Sequence, residues 1–188
     1  MILLASLVAG LLTGASWARW YGQPYRAPEL KYVSLVFIAF LPQFTAFYFP
    51  VSGQHVSGFL LPLSQALLLV FTWLNRRLPG MMILLIGTAL NFTVIAANRG
   101  FMPISPQTAS HLVSKDVLEN IQSGDRFGVK DILLLPEDTR FEWLADRFLP
   151  PAWSAYQVAF SPGDVLIAFG IFRLLAYQKN ISLQGYKK

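Results

Sequence analysis

Two aspartates in this sequence have the chemistry and the placement needed for acid–base work. Asp164 opens a hydrophobic segment in the stretch AFSPGDVLIAFG, and Asp146 precedes it in the stretch LADRF. Two carboxyl groups within hydrogen-bonding reach can share a proton, so that one holds the proton while the other activates water. The sequence therefore makes Asp146 and Asp164 the candidate catalytic residues of a hydrolase.

Each of these aspartates also has a structural interpretation. Asp164 follows Ser161 in a stretch that can begin a helix, where an acid in the first turn complements the helix dipole and the free amide groups. Asp146 could form an ion pair with Arg147 or with another surface base. Spacing alone does not show whether the two carboxyl groups meet, so both interpretations stay open.

Two asparagines in the preceding hydrophobic segment are candidates for orienting a substrate carbonyl group. Asn91 lies inside that segment and Asn98 lies at its outer end. The alternative is that their amides form hydrogen bonds to a neighbouring helix, which is the usual role of buried amides in membrane bundles.

The sequence lacks the usual ligands of a cofactor or a metal ion. It contains no cysteine, and its two histidines, His55 and His111, lie outside the hydrophobic segments. Walker, Rossmann and HExxH patterns are also missing from the sequence. We therefore expect no cofactor and no bound metal.

The composition is that of a membrane protein. Of the 188 residues, 54% are hydrophobic and 13% are charged, against a charged share of about 25% in an average domain. The apolar residues form segments near the roughly 20 residues that cross a bilayer. These segments are residues 2–18, 32–49, 59–74, 81–97 and 160–177. The pattern predicts an all-α polytopic membrane bundle of five transmembrane helices, forming a single domain over residues 1–188.

Basic residues give this bundle an orientation. The second connection has no lysine or arginine. The basic residues are concentrated in the first connection, in the third connection and after the last segment, and they are Arg19, Arg26, Lys31, Arg76, Arg77, Lys179, Lys187 and Lys188. The positive-inside rule then predicts an outer N-terminus, a cytoplasmic C-terminus and an outer cap segment at 98–159. Since the net charge of +5 is explained by these flanks, we expect membrane lipids as partners and no nucleic acid.

The outer cap segment holds two further patterns. SPQTASHLVSKDVLENIQSG predicts a short amphipathic helix capped by Ser105 or Ser110. DILLLP is a short apolar run that could be a strand, a re-entrant turn or an interfacial segment.

Two motifs carry a resemblance to a known family. LNFTVIAANRGFMPIS and FSPGDVLIAFG resemble the N-G-G-x-M-P-like and F-S-x-G-D motifs of an uncharacterised family of small bacterial integral membrane proteins. Arg99 stands where that family has a glycine, so the turn after Asn98 is expected to differ. The resemblance covers most of the chain from the second segment onward. It implies a location in the bacterial cytoplasmic membrane and brings no established activity.

A second likeness is to lipoprotein signal peptidase, a membrane aspartyl protease. Its last helix opens with an F-N-x-A-D motif, which AFSPGD with Asp164 resembles, and its other catalytic aspartate lies at a spacing similar to that of Asp146. The chain departs from that family in lacking its N-x-x-D-R block and in having five segments instead of four. The likeness implies a shared layout more than a shared reaction.

These observations lead to two predicted functions. The first is an integral membrane protein of unknown role, such as an accessory or structural subunit of a larger membrane complex, with other membrane subunits as partners. The alternative is an aspartyl membrane hydrolase that uses Asp146 and Asp164 at the outer interface. A transporter is disfavoured because no acid or base lies deep inside a predicted span.

Overall fold

Helices dominate the structure. The computed structural model describes residues 2–48, 54–128, 130–151, 153–154 and 157–178. The helices of this part of the chain are α1 (Ile2–Trp20), α2 (Ser34–Tyr48), α3 (Gln54–Leu74), α4 (Met81–Ala97), α5 (Pro106–Ala109), α6 (Lys115–Glu119) and α7 (Pro162–Ala176). Each of the five hydrophobic segments is therefore helical over nearly all of its described residues. Lys179, Lys187 and Lys188 lie outside the described residues, as does the side chain of His55.

The apolar helices differ in length. Of the described helices, α1 alone is both long enough, at 19 residues, and apolar enough to cross a membrane. The apolar stretches Gly58–Leu74 and Met81–Ala97 are shorter.

The long helices pack in the order α1, α7, α4, α3, α2. Helix α1 runs parallel to α7, because Gly10 lies against Phe172 and Gly14 lies against Leu175. Helix α4 runs antiparallel to α7. Its Gly87 approaches so closely that an added Cβ atom would lie 2.7 Å from the Gly163 carbonyl oxygen. We call this contact between Gly87 and Gly163 the glycine seam. It brings the two backbones into direct contact, as small residues do in membrane helix pairs.

The connections rich in basic residues meet at one end of the helices. Asn75, just after α3, accepts a hydrogen bond from the Lys31 amide (2.7 Å) and donates one to the Lys31 carbonyl (2.9 Å). Gln178, just after α7, accepts from the Arg26 amide at 3.0 Å. We call this the basic end. The other end, where α4 stops and α7 starts, carries the segment 98–160.

That segment contains a small sheet, which makes the all-α prediction wrong in this respect. Strand β1 (Met102–Ile104) pairs in parallel with β3 (Asp131–Leu133), and β2 (Arg126–Phe127) pairs antiparallel with β3. The DILLLP stretch is thus the central strand of three. Its continuous apolar run is explained by burial, since Ile132, Leu133 and Leu134 are all at most 5% exposed. We call this end of the molecule the sheet end.

The predicted amphipathic helix forms as two short helices, α5 and α6. The Ser105 side chain caps α5 by accepting a hydrogen bond from the Thr108 amide at 3.1 Å. Ser110 ends α5 instead of starting a helix, and Ser114 begins α6. Serines favour helix ends because their side chains compete with helical hydrogen bonds, which explains why the single predicted helix breaks between them.

Candidate functional site

Asp164 forms a capping box at the start of α7. The Ser161 hydroxyl accepts a hydrogen bond from the Asp164 amide at 3.0 Å, and the Asp164 carboxylate accepts one from the Ser161 amide at 3.2 Å. Pro162 occupies the first turn, where its missing N–H costs nothing. The sequence S-P-G-D is therefore a complete helix start, as its capping interpretation predicts.

The same aspartate ties α7 to α4. The Asn91 side-chain amide donates to Asp164 Oδ1 at 2.8 Å, and the Ser161 hydroxyl donates to Asn91 Oδ1 at 2.9 Å. Gly163 makes this contact possible, because a Cβ atom there would lie 1.9 Å from Asn91 Oδ1. Asn91 therefore acts between helices, and both oxygens of Asp164 already accept hydrogen bonds.

Asp146 is held near this helix start by backbone pairing. Its amide donates to the Pro103 carbonyl at 3.1 Å, which places Asp146 beside strand β1. Two residues later, Phe148 pairs with Phe160 through hydrogen bonds of 3.0 Å and 2.9 Å. Since Phe160 directly precedes the capping serine, the pairing fixes the Asp146 stretch against the start of α7.

Asp146 forms its ion pair with Lys130. The Lys130 ammonium group contacts Asp146 Oδ2 directly and lies 3.3 Å from Asp131 Oδ1. The Asp146 side chain is 0% exposed. Arg147, the base suggested by sequence, lies 3.8 Å from Glu142 instead. We name the group of Lys130, Asp131, Asp146 and Asp164 the acid–lysine cluster.

Burial and charge shift the pKa values in this cluster. Burial raises the pKa of Asp146 to about 7, against the opposing charge of Lys130 and with help from the charges of Asp131 and Asp164. Burial likewise raises the pKa of Asp131. For Lys130, burial favours the neutral amine, but the three carboxylates outweigh it and raise the pKa above its ordinary value. The lysine thus stays charged while Asp146 titrates near neutrality.

Asp131 Oδ1 and Asp146 Oδ1 are buried, and neither accepts a hydrogen bond among the described residues. The charges of Asp131 and Asp164 both favour the protonated form of Asp146, so the proton of this cluster is held at Asp146.

Lys130 and Asp131 were not singled out by their sequence context. They meet Asp146 because β3 lies beside β1 and β1 lies beside the Asp146 stretch. A lysine–aspartate pair directly before a buried apolar run is the one sequence signal that could have drawn attention to them.

Asn98 forms its hydrogen bonds to backbone groups, whereas Asn91 bonds to side chains of α7 and its N-cap. Its amide donates to the carbonyls of Val94 (2.7 Å) and Arg140 (2.8 Å), and its oxygen accepts from the Arg140 amide (2.9 Å). The side chain therefore joins the end of α4 to the loop that holds Arg140, and its polar atoms are already bonded. A role in orienting a substrate stays a prediction for both asparagines.

The described residues contain no group of three or more histidine, cysteine, aspartate or glutamate side chains placed to hold a metal ion. The expectation of no cofactor stays a prediction from sequence.

Comparison with known proteins places the chain in a family. Residues 28–176 match the Family of unknown function DUF5317, and the chain belongs to that family. No curated protein and no solved structure matches the chain. The predicted membership of an uncharacterised family is therefore confirmed.

We predict that the folded protein loses stability as the pH rises from about 4 to about 7 because of Asp146. A raised pKa means that the folded state holds the Asp146 proton over a range in which the unfolded chain has already released it. The contribution is full below the pKa of the unfolded chain and disappears as the pH passes about 7. Thermal unfolding followed across this range should show the decline in the native protein and a flatter profile in Asp146→Asn.

The matched control is Glu119→Gln, which removes an exposed carboxylate at the end of α6. It should keep the pH profile of the native protein. Identical slopes for the native protein and Asp146→Asn would contradict the assignment.

Proposed function

We propose that this member of the DUF5317 family is an integral membrane protein whose five long helices all span the bilayer. The observation that carries the proposal is the outward direction of its large apolar side chains. Those with the greatest exposure on the long helices include Leu4 (61%), Leu12 (64%), Phe37 (71%), Leu41 (60%) and Phe59 (66%). A soluble monomer rarely exposes so large an apolar surface, whereas lipid solvates it without cost.

Exposed aromatic residues at both ends of the helices support this placement. Those at the basic end are Trp17, Trp20, Tyr21, Trp73 and Tyr177, and those at the sheet end are Phe141, Trp143, Phe148 and Trp153. Tryptophan and tyrosine concentrate at the two membrane–water interfaces because their rings are amphipathic. Two such belts, with apolar helix surface between them, fit a bilayer. Helices of 15 residues, such as α2 and α7, are accommodated by local thinning of the bilayer.

The grouping of basic residues supports an orientation. The basic end combines the first connection, the third connection and the end of α7, and the positive-inside rule assigns such an end to the cytoplasm. The sheet end and the acid–lysine cluster would then face the outside of a bacterial cytoplasmic membrane. This orientation puts the N-terminus outside and the C-terminus in the cytoplasm.

Single-cysteine labelling tests the topology cleanly, because the chain has no cysteine of its own. We expect Ser110→Cys to react with a membrane-impermeant maleimide on intact cells. Ala27→Cys, at the basic end, should react only after the membrane is permeabilised. Both positions are exposed, and neither change alters a charge. The cysteine-free parent is the control, and labelling of both positions from the same side would contradict the five-span arrangement.

Within the membrane, we propose that the protein serves as an accessory or structural subunit of a larger complex. Helices α1 and α2 lie at the two ends of the packing order, and their exposed faces offer surface for other membrane subunits. In this proposal the buried polar groups at the sheet end serve mainly to stabilise the fold. Native electrophoresis of membranes solubilised in mild detergent should show the protein above its monomer mass of 21.1 kDa. A partner-free monomer would contradict this part of the proposal.

An aspartyl hydrolase is the second candidate function, and the acid–lysine cluster favours it. A buried carboxyl group with a pKa of about 7 beside other carboxyl groups can hold the proton that acid–base catalysis of peptide hydrolysis needs. In this version, Asp146 holds the proton, Asp131 or Asp164 activates water, and Asn91 or Asn98 orients the substrate carbonyl.

Asp164→Asn separates the two functions. Because the Asp164 carboxylate closes the capping box, we expect this change to weaken one of its hydrogen bonds and to lower stability by about 0.5–1.5 kcal/mol, measured as a lower unfolding temperature. Cleavage of membrane-anchored peptides by purified protein is measured in parallel. If Asp164→Asn abolishes cleavage and keeps the native unfolding temperature, the hydrolase is favoured and the capping role is contradicted. Glu119→Gln again serves as the control.

A further inference from the structure

A polar cavity at the sheet end is separate from the acid–lysine cluster. It is open to the surface and has a volume of about 560 Å³ between the end of α4, the turn at Ser123 and Gly124, and the loop at Asp138 and Arg140. Ligand pockets in proteins are typically about 300–1,000 Å³ in volume. The cavity is thus large enough for a small polar molecule or a lipid headgroup.

Two arginines, Arg99 and Arg140, line this cavity. Arg99 and Arg140 form no ion pair within the part of the chain that the structure describes, whereas Lys130 and Arg147 each contact a carboxylate. Asp138 also lines the cavity, so its formal charge is net positive. Guanidinium groups match the planar, bidentate geometry of phosphate and carboxylate oxygens.

The backbone holds both arginines at the cavity. Asn98 precedes Arg99 in the chain, and its side chain makes two hydrogen bonds to the Arg140 backbone. One amide thus joins the two segments that carry the guanidinium groups. The Arg99 guanidinium lies against Gly124, where an added Cβ atom would lie 3.3 Å from Nη1 and would crowd it.

Arg99 occupies a backbone conformation that favours glycine. Its φ is 60°, and that of the following Gly100 is 84°. Glycine adopts this conformation most readily, which agrees with the glycine expected here from the motif resemblance, yet this chain has arginine. A non-glycine residue in the left-handed region costs conformational energy, and such strain concentrates at functional positions. The side chain of Arg99 is therefore a candidate for a role that offsets this strain.

We propose that the cavity binds a phosphate ester, with Arg99 and Arg140 contacting the phosphate oxygens. Asp138, on the same wall as Arg140, accepts a hydrogen bond from a hydroxyl or amino group of the same ligand. Because the lining has one aspartate beside its two arginines, it fits a phosphate ester with a hydroxyl or amino donor better than inorganic phosphate, which would meet the Asp138 charge without such a donor. The proposal does not depend on the five-span topology, because the cavity lies in the segment beyond the helices.

Two sources could supply this chemistry, a lipid headgroup or a soluble phosphate ester. The cavity lies next to the end of α4, and exposed Phe141 directly follows Arg140 in the chain. Lipid headgroups would lie near this end of the helices if the protein is embedded in a membrane. Phosphatidylglycerol and glycerol 3-phosphate share the phosphate and a hydroxyl group, so they serve as matched probes for the two sources.

The test measures binding of each probe to the full chain, purified in detergent and stripped of lipid, by native mass spectrometry and calorimetry. We expect the native protein to bind at least one probe. Binding of phosphatidylglycerol alone identifies a lipid headgroup, and binding of glycerol 3-phosphate identifies the phosphate ester itself as sufficient. If neither probe binds, the proposal is overturned.

Two variants assign the binding to the cavity. Arg99→Gly removes one guanidinium group and places glycine in the conformation that it favours, so the unfolding temperature should not fall. Arg140→Gln removes the other group. Each should weaken binding about tenfold or more, because each removes a charge-assisted hydrogen bond to the phosphate.

The matched control is Arg77→Gln, which removes an exposed positive charge at the basic end. It should change the affinity less than twofold. Equal affinities for Arg99→Gly and Arg77→Gln would overturn the proposal, since binding would then depend on overall charge and not on the cavity. A drop in affinity for Arg99→Gly at an unchanged unfolding temperature excludes misfolding as its cause.

Discussion

The hydrogen bonds among Asn91, Ser161 and Asp164 set the geometry on which the rest of the structure depends. They join the middle of α4 to the first turn of α7 at distances of 2.8 Å and 2.9 Å. Asn91 is 5% exposed and Ser161 is fully buried, so any of these groups left unpaired would carry a desolvation cost of about 1–3 kcal/mol. The contact therefore fixes how far α4 slides along α7, and with it the position of the glycine seam.

The position of α7 in turn determines the chemistry at the sheet end. Phe160, next to the capping serine, pairs with Phe148 and so holds the Asp146 stretch between α7 and strand β1. The parallel pairing of β1 with β3 then delivers Lys130 to Asp146. One helix start thus positions a buried acid whose pKa lies near neutrality. The arginine-lined cavity is formed by other parts of the chain, the end of α4 and the loop that Asn98 binds. The cavity and the acid–lysine cluster therefore differ in charge, since arginines predominate in the first and carboxyl groups in the second.

Local features of this fold were predictable from the sequence, and the long-range ones were not. Continuous apolar runs located the five long helices, and S-P-G-D gave the capping box at Asp164, because both depend on neighbouring residues. The DILLLP run was open to interpretation as a strand, but the sheet was not predictable, because its strands have two or three residues and pair across stretches of chain that no local pattern connects. Lys130 and Asp131 were missed for the same reason. The position of Asn91 inside an apolar segment made interhelical bonding one of its two interpretations, but its partner on α7 depends on the register of two helices far apart in sequence.

A double-mutant cycle on Asn91→Ala and Asp164→Ala is the most direct measurement of the link between α4 and α7. Unfolding free energies are measured for the native protein, both single variants and the double variant in the same detergent. If the hydrogen bond governs the register of the helices, the two changes couple, with an interaction energy of about 1–3 kcal/mol. Additive effects, within about 0.5 kcal/mol, would contradict the account and assign the register of the two helices to the packing around Gly87 and Gly163 instead.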